Sequence, residues 1–251
     1  MTSLLYEDHA LATFYDTAQR PERKDFEFCR KLARGAGSVL DLGCGTGELA
    51  IALTGETSSH RHVFGLDPAA SMLALAASKE RGDQVHWIEG DARSARLGEV
   101  FDFVVLTGHA FQVFLTEADR AACLSTIACH LAPDGVFVFD SRNPHYPGAK
   151  ENSREKSLRR FQHPQLGQIE AWNQSRYDKE QAILTYSNHY RVLETGEERS
   201  GQDQIAYTSQ PDLAALINAA GLRVDRWLGD WDGSPFSAES YDIIPVGRLA
   251  S

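Results

Sequence analysis

The alternation of apolar and polar positions changes character twice along the 251-residue chain. Between Glu27 and Asp140, short runs rich in Val, Leu, Ile and Phe alternate with segments whose apolar residues recur at helical spacing. The runs at 38–42, 63–67, 85–89, 101–106 and 136–140 are mostly apolar, with one carboxylate each, as strands buried on both faces require, and their separation by helices predicts a parallel sheet. One intervening helix has readable ends. Thr116 can cap its N-terminus, and Glu117 and Asp119 suit the positive end of the helix dipole. Leu124, Ile127, Ala128 and Leu131 then form one apolar stripe for the sheet, and Pro133-Asp134-Gly135 predicts the turn that stops the helix.

After Asn143 the pattern shifts. Residues 150–160 are polar and mixed in charge, which predicts a solvated connector. The period then becomes two: Leu184, Tyr186, Tyr190 and Val192 face one way, and Thr185, Ser187, His189 and Arg191 the other. Hairpin turns are expected at 178–180 and 195–197, so roughly 158–208 predicts a small antiparallel sheet. Trp172 and the tyrosines of this segment are its candidate core, or an exposed aromatic face suited to substrate contact. A helix at 211–220, with Pro211 in its first turn and Gly221 just past its end, restores the alternation of helix and strand, and strands at 222–228 and 241–246 follow. The expected organisation is one α/β domain from 1–148 and 209–251, doubly wound around a seven-stranded, mostly parallel sheet, with 149–208 inserted as an antiparallel lid that forms part of the substrate wall.

Composition narrows the function. A hydrophobic content of 42% supports one sizeable core, and the net charge of −10 repels phosphate backbones, so nucleic acid is not the expected partner. No apolar run approaches the roughly 18 residues of a membrane span. The N-terminal residues lack a basic-then-apolar signal pattern, and Cys29, Cys44, Cys123 and Cys129 form no metal-ligand spacing. These features predict a reduced, cytoplasmic protein without structural metal, as a monomer or homodimer acting on a small molecule.

The chemistry concentrates in Ser-Val-Leu-Asp-Leu-Gly-Cys-Gly-Thr-Gly-Glu, residues 38–48, which reads as strand, glycine-rich turn and helix start. Gly43, Gly45 and Gly47 lack Cβ atoms, so the backbone there can turn sharply and lie against a ligand. Asp67 ends the next strand, where a carboxylate can accept both hydrogens of a ribose diol, and Glu89-Gly90-Asp91-Ala92 brings another carboxylate to the same edge. Open α/β sheets bind ligands at that carboxyl edge. A nucleotide-containing ligand follows, and two compete: a dinucleotide, whose turn usually reads G-x-G-x-x-G, and S-adenosylmethionine. The spacing here, G-x-G-x-G, is tighter by one residue.

At this point the residues resemble the class I S-adenosylmethionine-dependent methyltransferases. Residues 39–48 are similar to their first motif, and Phe64-Gly-Leu-Asp67-Pro-Ala-Ala-Ser-Met72-Leu73 to their second. Glu89-Gly-Asp91-Ala92 is similar to the third, Phe101-Asp-Phe-Val-Val-Leu to the fourth and Leu131-Ala-Pro-Asp-Gly-Val-Phe-Val to the fifth. The resemblance covers about 25–145 and implies a Rossmann-like methyltransferase fold with S-adenosyl-L-methionine as cofactor. It also implies roles. The turn of Gly43, Cys44, Gly45 and Gly47 would cradle the methionine part, Asp67 would hold the ribose, and Pro68 and Met72 would flank the adenine. Asp91 would accept from the adenine amino group, Ala92 would offer its amide to the ring, and the Thr107 carbonyl would lie beneath the methionyl amino group. Tyr15, on an N-terminal lid that also carries Tyr6, would contact the cofactor or pack against the first helix.

The order of elements resembles bacterial small-molecule methyltransferases of the sugar-amine N-methyltransferase kind. One departure is that Thr107-Gly-His-Ala-Phe-Gln112 follows strand four, not the Asn/Asp-Pro-Pro-Tyr/Phe of enzymes that methylate nucleic-acid amines or glutamine. His109, beside the expected methyl group, can serve as a base or only shape the pocket. Arg142, after strand five, can meet an anionic substrate or make a surface ion pair. Trp231, in the loop 229–236, can line the substrate pocket or serve ordinary loop packing, and the pocket is the expectation carried forward. The reaction implied is transfer of a methyl group to nitrogen, oxygen or carbon of a small molecule, for which positioning can suffice without an obligatory base. An NAD-dependent oxidoreductase is the rival enzyme, and a cofactor-binding regulator without turnover is the rival from another class. A lone carboxylate at a sheet edge, as Asp67 is in this reading, is expected to contribute little to stability.

Overall fold

The computed structural model describes Phe14 and residues 23–55, 61–148 and 150–250. In chain order these form α1 (Lys24–Leu32), β1 (Ser38–Leu42), α2 (Glu48–Thr54), β2 (His62–Asp67), α3 (Ala70–Ser78), β3 (Val85–Glu89) and β4 (Phe101–Leu106). There follow α4 (Glu117–His130), β5 (Leu131–Phe139), β6 (Ser141–Arg142), α5 (Arg154–Ser157), β7 (Arg159–His163), β8 (Gly167–Asp178) and β9 (Ile183–Val192). The chain closes with β10 (Glu198–Ala206), α6 (Gln210–Ala219), β11 (Leu222–Leu228) and β12 (Asp242–Leu249).

The main sheet runs in the order β3-β2-β1-β4-β5-β12-β11. Its first five strands pair in parallel, and β12 lies antiparallel between β5 and β11. The two-residue β6 extends the β12 ladder past the end of β5. Chain order reverses about β1, whose neighbours are β2 and β4, and connections leaving in opposite directions open a crevice at their carboxyl ends. Alternation along each strand fills two layers. Val39, Phe103 and Val105 pack with Cys29, Ala33, Leu49 and Leu53 under α1 and α2. Leu40, Leu42, Val104 and Leu106 face Leu124 and Ile127 of α4 and Leu213 and Ile217 of α6. Each fully buried side chain of this size contributes roughly 1.5–3 kcal/mol.

Local chemistry places the helix starts. Thr116 Oγ1 accepts the Asp119 amide at 3.1 Å, and Ser209 Oγ accepts the Asp212 amide at 3.4 Å. The expected turn at Pro133-Asp134-Gly135 differs in form. Phe101 pairs with Leu131 but Phe103 with Val136, so β5 spends five residues where β4 spends two and the surplus bulges out. Gly135 sits under this bulge, where a Cβ would press on the carbonyl oxygens of Phe101 and Ala132.

The second sheet, β10-β9-β8-β7, is antiparallel throughout. One face is apolar at one end, where Ile169, Ala171, Tyr190 and Val192 pack on Phe14, whose ring stacks on Tyr190 at 4.5 Å. On the opposite face Trp172 stacks on His189 at 5.0 Å, with the Arg154 guanidinium 4.3 Å from its ring centre. The expected solvated connector is corrected here. Asn152 and Ser157 are stitched to β8, with Asn152 N–H donating to Ser175 Oγ at 2.8 Å and Ser157 Oγ donating to the Asn173 carbonyl at 2.7 Å. The reason is that β7 covers β8 only as far as Ala171, which leaves backbone groups of Asn173 and Ser175 needing partners. No helix among the described residues is long and apolar enough to cross a membrane.

Candidate active site

A cavity of about 1150 Å³ opens at the carboxyl ends of β1 to β5 and continues beneath the second sheet. At its deep end lies the turn after β1. Gly43, Gly45 and Gly47 have φ of 63°, 55° and 73°, the left-handed region that glycine enters without strain. Gly43 approaches Leu106 and Ala110 so closely that a Cβ would come within 3.2 Å of both, whereas a Cβ on Gly45 would meet nothing within 4 Å. Gly43 and Gly45 line the cavity.

Asp67 closes this end from β2. Its two oxygens accept the Gly45 amide at 2.8 Å and the Ala69 amide at 2.9 Å, so one carboxylate pins the glycine turn to the start of α3. Burial pushes its carboxyl up, against the pull of those two bonds. The expectation that Asp67 matters little to the fold is therefore corrected: a side chain distant in sequence from the turn is what anchors it. Asp41, one strand over, is 2% exposed, and burial together with the nearby Asp67 pushes it up to about 8.

Pro68, Met72, Asp91, Ala92 and Thr107 all line the same end. Asp91 is held by Arg93, whose Nε lies 3.0 Å from both carboxylate oxygens and whose Nη1 reaches Asp119 at 2.8 Å. The Arg93 guanidinium holds the Asp91 carboxyl below its usual range. His109 and Arg142 also line the cavity. His109 sits at φ 62° after β4, and Arg142 donates from Nε to Tyr241 Oη at 3.1 Å and from Nη1 to Gln112 Oε1 at 3.2 Å. The same Gln112 donates to the Ala206 carbonyl at 2.9 Å, which ties the segment after β4 to the second sheet.

Three sequence expectations fall elsewhere. The Cys44 thiol is buried against Gly65 rather than facing the cavity, and burial pushes it well up. Gly47 is required by packing, since a Cβ there would overlap the Trp87 ring and Ala76, and it does not line the cavity. Trp231 is not at the substrate wall: its ring meets Phe28 of α1 edge-on at 5.7 Å. The loop 229–241 leaves the outermost strand of the sheet and leans onto the α1 layer, so only its far end, Tyr241, reaches the cavity. Tyr15 and Tyr6 lie outside the described residues.

The second sheet, expected as part of the substrate wall, supplies lining residues that sequence reasoning did not name. Its rungs run Asn173, Asn188, Gly201, then Ser175, Tyr186, Asp203, then Tyr177, Leu184, Ile205 across β8, β9 and β10. Asn173, Ser175, Leu184, Tyr186, Asn188, Asp203 and Ile205 from these rungs line the cavity. Asn152 and Lys156 of the connector join them. The signal was present as strict alternation at period two, but the sequence could not say which face met the main domain. One end of the cavity thus offers a glycine turn with carboxylates, and the other a polar, tyrosine-bearing wall.

Comparison with known proteins identifies this arrangement. A family model described as a methyltransferase domain matches residues 39–135, the span from β1 into β5. The cypemycin N-terminal methyltransferase of Streptomyces sp is 26% identical over 211 residues, covering 83% of this chain and 82% of that protein. The dTDP-3-amino-3,6-dideoxy-alpha-D-glucopyranose N,N-dimethyltransferase of Streptomyces fradiae is 30% identical over 138 residues, covering 52% of each. The solved CcbJ methyltransferase of Streptomyces caelestis superposes with a TM-score of 0.80 at 23% identity, covering 98% of both chains, which supports the fold. The matched domain, the named relatives and the shared fold support reading the chain as a class I S-adenosylmethionine-dependent methyltransferase. It is an enzyme whose cofactor is S-adenosyl-L-methionine. The site fits that molecule: the open side of Gly45 leaves room for a ligand against the turn, and each Asp67 oxygen keeps a lone pair beyond its backbone bond.

Proposed function

We propose that this enzyme methylates a nitrogen of a small polar molecule bound beneath the second sheet. The observation that carries the reading is the continuity of the cavity from Gly43, Asp67 and Asp91 past His109 to Tyr186 and Asn188. Pockets for one drug-sized ligand occupy roughly 300–1,000 Å³, so this volume suits cofactor and acceptor together. The names of the two relatives, an N-terminal methyltransferase and an aminosugar N,N-dimethyltransferase, support nitrogen as the acceptor atom.

In this reading Gly43 and Gly45 lie along the methionine part, and Asp67 accepts the ribose hydroxyls. Pro68, Met72 and Ala92 flank the adenine, Asp91 accepts from its amino group, and the Thr107 carbonyl receives the methionyl ammonium. The bound cofactor supplies an activated methyl group on sulfonium. The protein's part is to exclude water and hold the acceptor atom in line with that group. The test has two arms. Calorimetry should show S-adenosylhomocysteine binding and NAD failing to bind. Isotope-labelled cofactor offered with a panel of amines, aminosugars, phenols and quinones should label an amine; label entering only a hydroxyl or a carbon would refute the nitrogen assignment.

A further inference from the structure

We infer that Asp242 and Asp140 hold His109 as the proton acceptor for the incoming nucleophile, with its own proton on Nε2 and its free Nδ1 toward the acceptor half of the cavity. This rests on the proposed function and deepens it. The three residues come from separate places: His109 after β4, Asp140 after β5 and Asp242 at the start of β12. The His109 Nε2 lies 2.9 Å from Asp242 Oδ1 and 3.5 Å from Asp140 Oδ2. The other oxygen of Asp140 accepts the His109 backbone amide at 2.9 Å. An ionised carboxylate can only accept, so Nε2 carries the proton and Nδ1 keeps a lone pair. Among the described residues Nδ1 has no hydrogen-bond partner.

Two further observations bear on how the ring is held. His109 is a non-glycine residue at φ 62°, a conformation that persists only where surroundings impose it and that concentrates at functional sites. The same backbone donates its amide to Asp140. Asp140 and Asp242 are 1% and 8% exposed, so both carboxylates that meet the ring are buried and hold a fixed position. The other titratable groups that interact with this cluster include Arg142, Tyr207, Cys29 and Tyr241, whose ring stands edge-on 6.3 Å from His109. The chemistry implied is an acceptor that must shed a proton, an ammonium ion above all. Its N–H bond breaks with the electron pair kept on nitrogen, and the proton goes to Nδ1. That pair forms the new N–C bond as the C–S bond breaks with its electrons going to sulfur.

The test reads the tautomer directly. Two-bond ¹H–¹⁵N correlations on ¹⁵N-histidine-labelled protein, at a pH of about 8.5 where an ordinary imidazole is neutral, should show one ring of Nε2–H type that vanishes in His109→Gln. Asp242→Asn, whose amide can donate to Nε2, should move that ring toward the Nδ1–H pattern. Asp140→Asn should leave it unchanged, because its shorter contact is to the backbone amide. These spectra need neither cofactor nor acceptor, so they stand even if the acceptor panel fails. With an acceptor from that panel, Asp242→Asn should lower kcat at least tenfold with KM nearly constant, and Asp242→Glu should recover part of the loss. A wild-type ring of Nδ1–H type, or an unchanged ring in Asp242→Asn, overturns the inference without touching the methyltransferase reading. Should Asp242→Asn fail to fold, the wild-type spectrum still decides it.

Discussion

Replacing Asp67 by alanine removes one carboxylate that serves two structures at once. In the folded protein it accepts the Gly45 amide at 2.8 Å and the Ala69 amide at 2.9 Å. Leaving a buried donor without a partner costs about 1–3 kcal/mol. The Ala69 amide is buried and bears that cost in full, while the half-buried Gly45 amide can recruit water. Relief from burying a charge offsets part of the loss, since burial already pushes this carboxyl up. The net expectation for Asp67→Ala is a destabilisation of about 1–3 kcal/mol, or roughly 2–10 °C in Tm for a chain of this size. Loss of a charge-assisted bond to the ribose should weaken S-adenosylhomocysteine binding about tenfold or more. Asp67→Asn keeps one acceptor oxygen and should recover part of the stability but little of the affinity. The measurements are apo-protein melting and calorimetry on the three proteins. An alanine variant that melts with wild type would show that the carboxylate does not pin the turn, and one that binds cofactor normally would remove Asp67 from the ribose site.

Other outcomes follow from the same geometry. Because the folded Asp41 carboxyl titrates near about 8 and the unfolded one in the ordinary carboxylate range, the folded state binds the extra proton between them. Wild-type stability should fall as pH rises through that window, by up to about 1.4 kcal/mol per pH unit. Asp41→Asn should lack this loss, and parallel curves of Tm against pH for the two proteins would refute it. Gly47→Ala should destabilise by at least about 1–2 kcal/mol, from its positive φ and overlap with Trp87, and an unchanged denaturation midpoint would contradict this. Trp231→Ala should lower Tm through the lost Phe28 contact and leave acceptor KM unchanged; a raised KM at unaltered Tm would return Trp231 to the pocket.

The doubly wound sheet, the antiparallel insertion and the glycine turn were legible in the chain itself. Strands buried on both faces need unbroken apolar runs, half-buried ones alternate, and a turn through positive φ needs glycine, so each leaves a mark within a few residues of itself. Gly43, Asp67 and Asp91 could be found because they follow strands, and all parallel strands deliver their carboxyl ends to one edge. Trp231 was misplaced because its loop could lean either way, and only the neighbouring α1 layer decided which. The connector at 150–157 reads as solvent-exposed polar chain, yet the unpaired edge of β8 draws it in. The setting of His109 was invisible for the same reason, since Asp140 and Asp242 lie 31 and 133 positions away from it. Secondary structure answers to forces between near neighbours and is written locally, whereas a site assembled from three strand ends exists only once β12 has slotted in beside β5 and brought its carboxylate to the histidine.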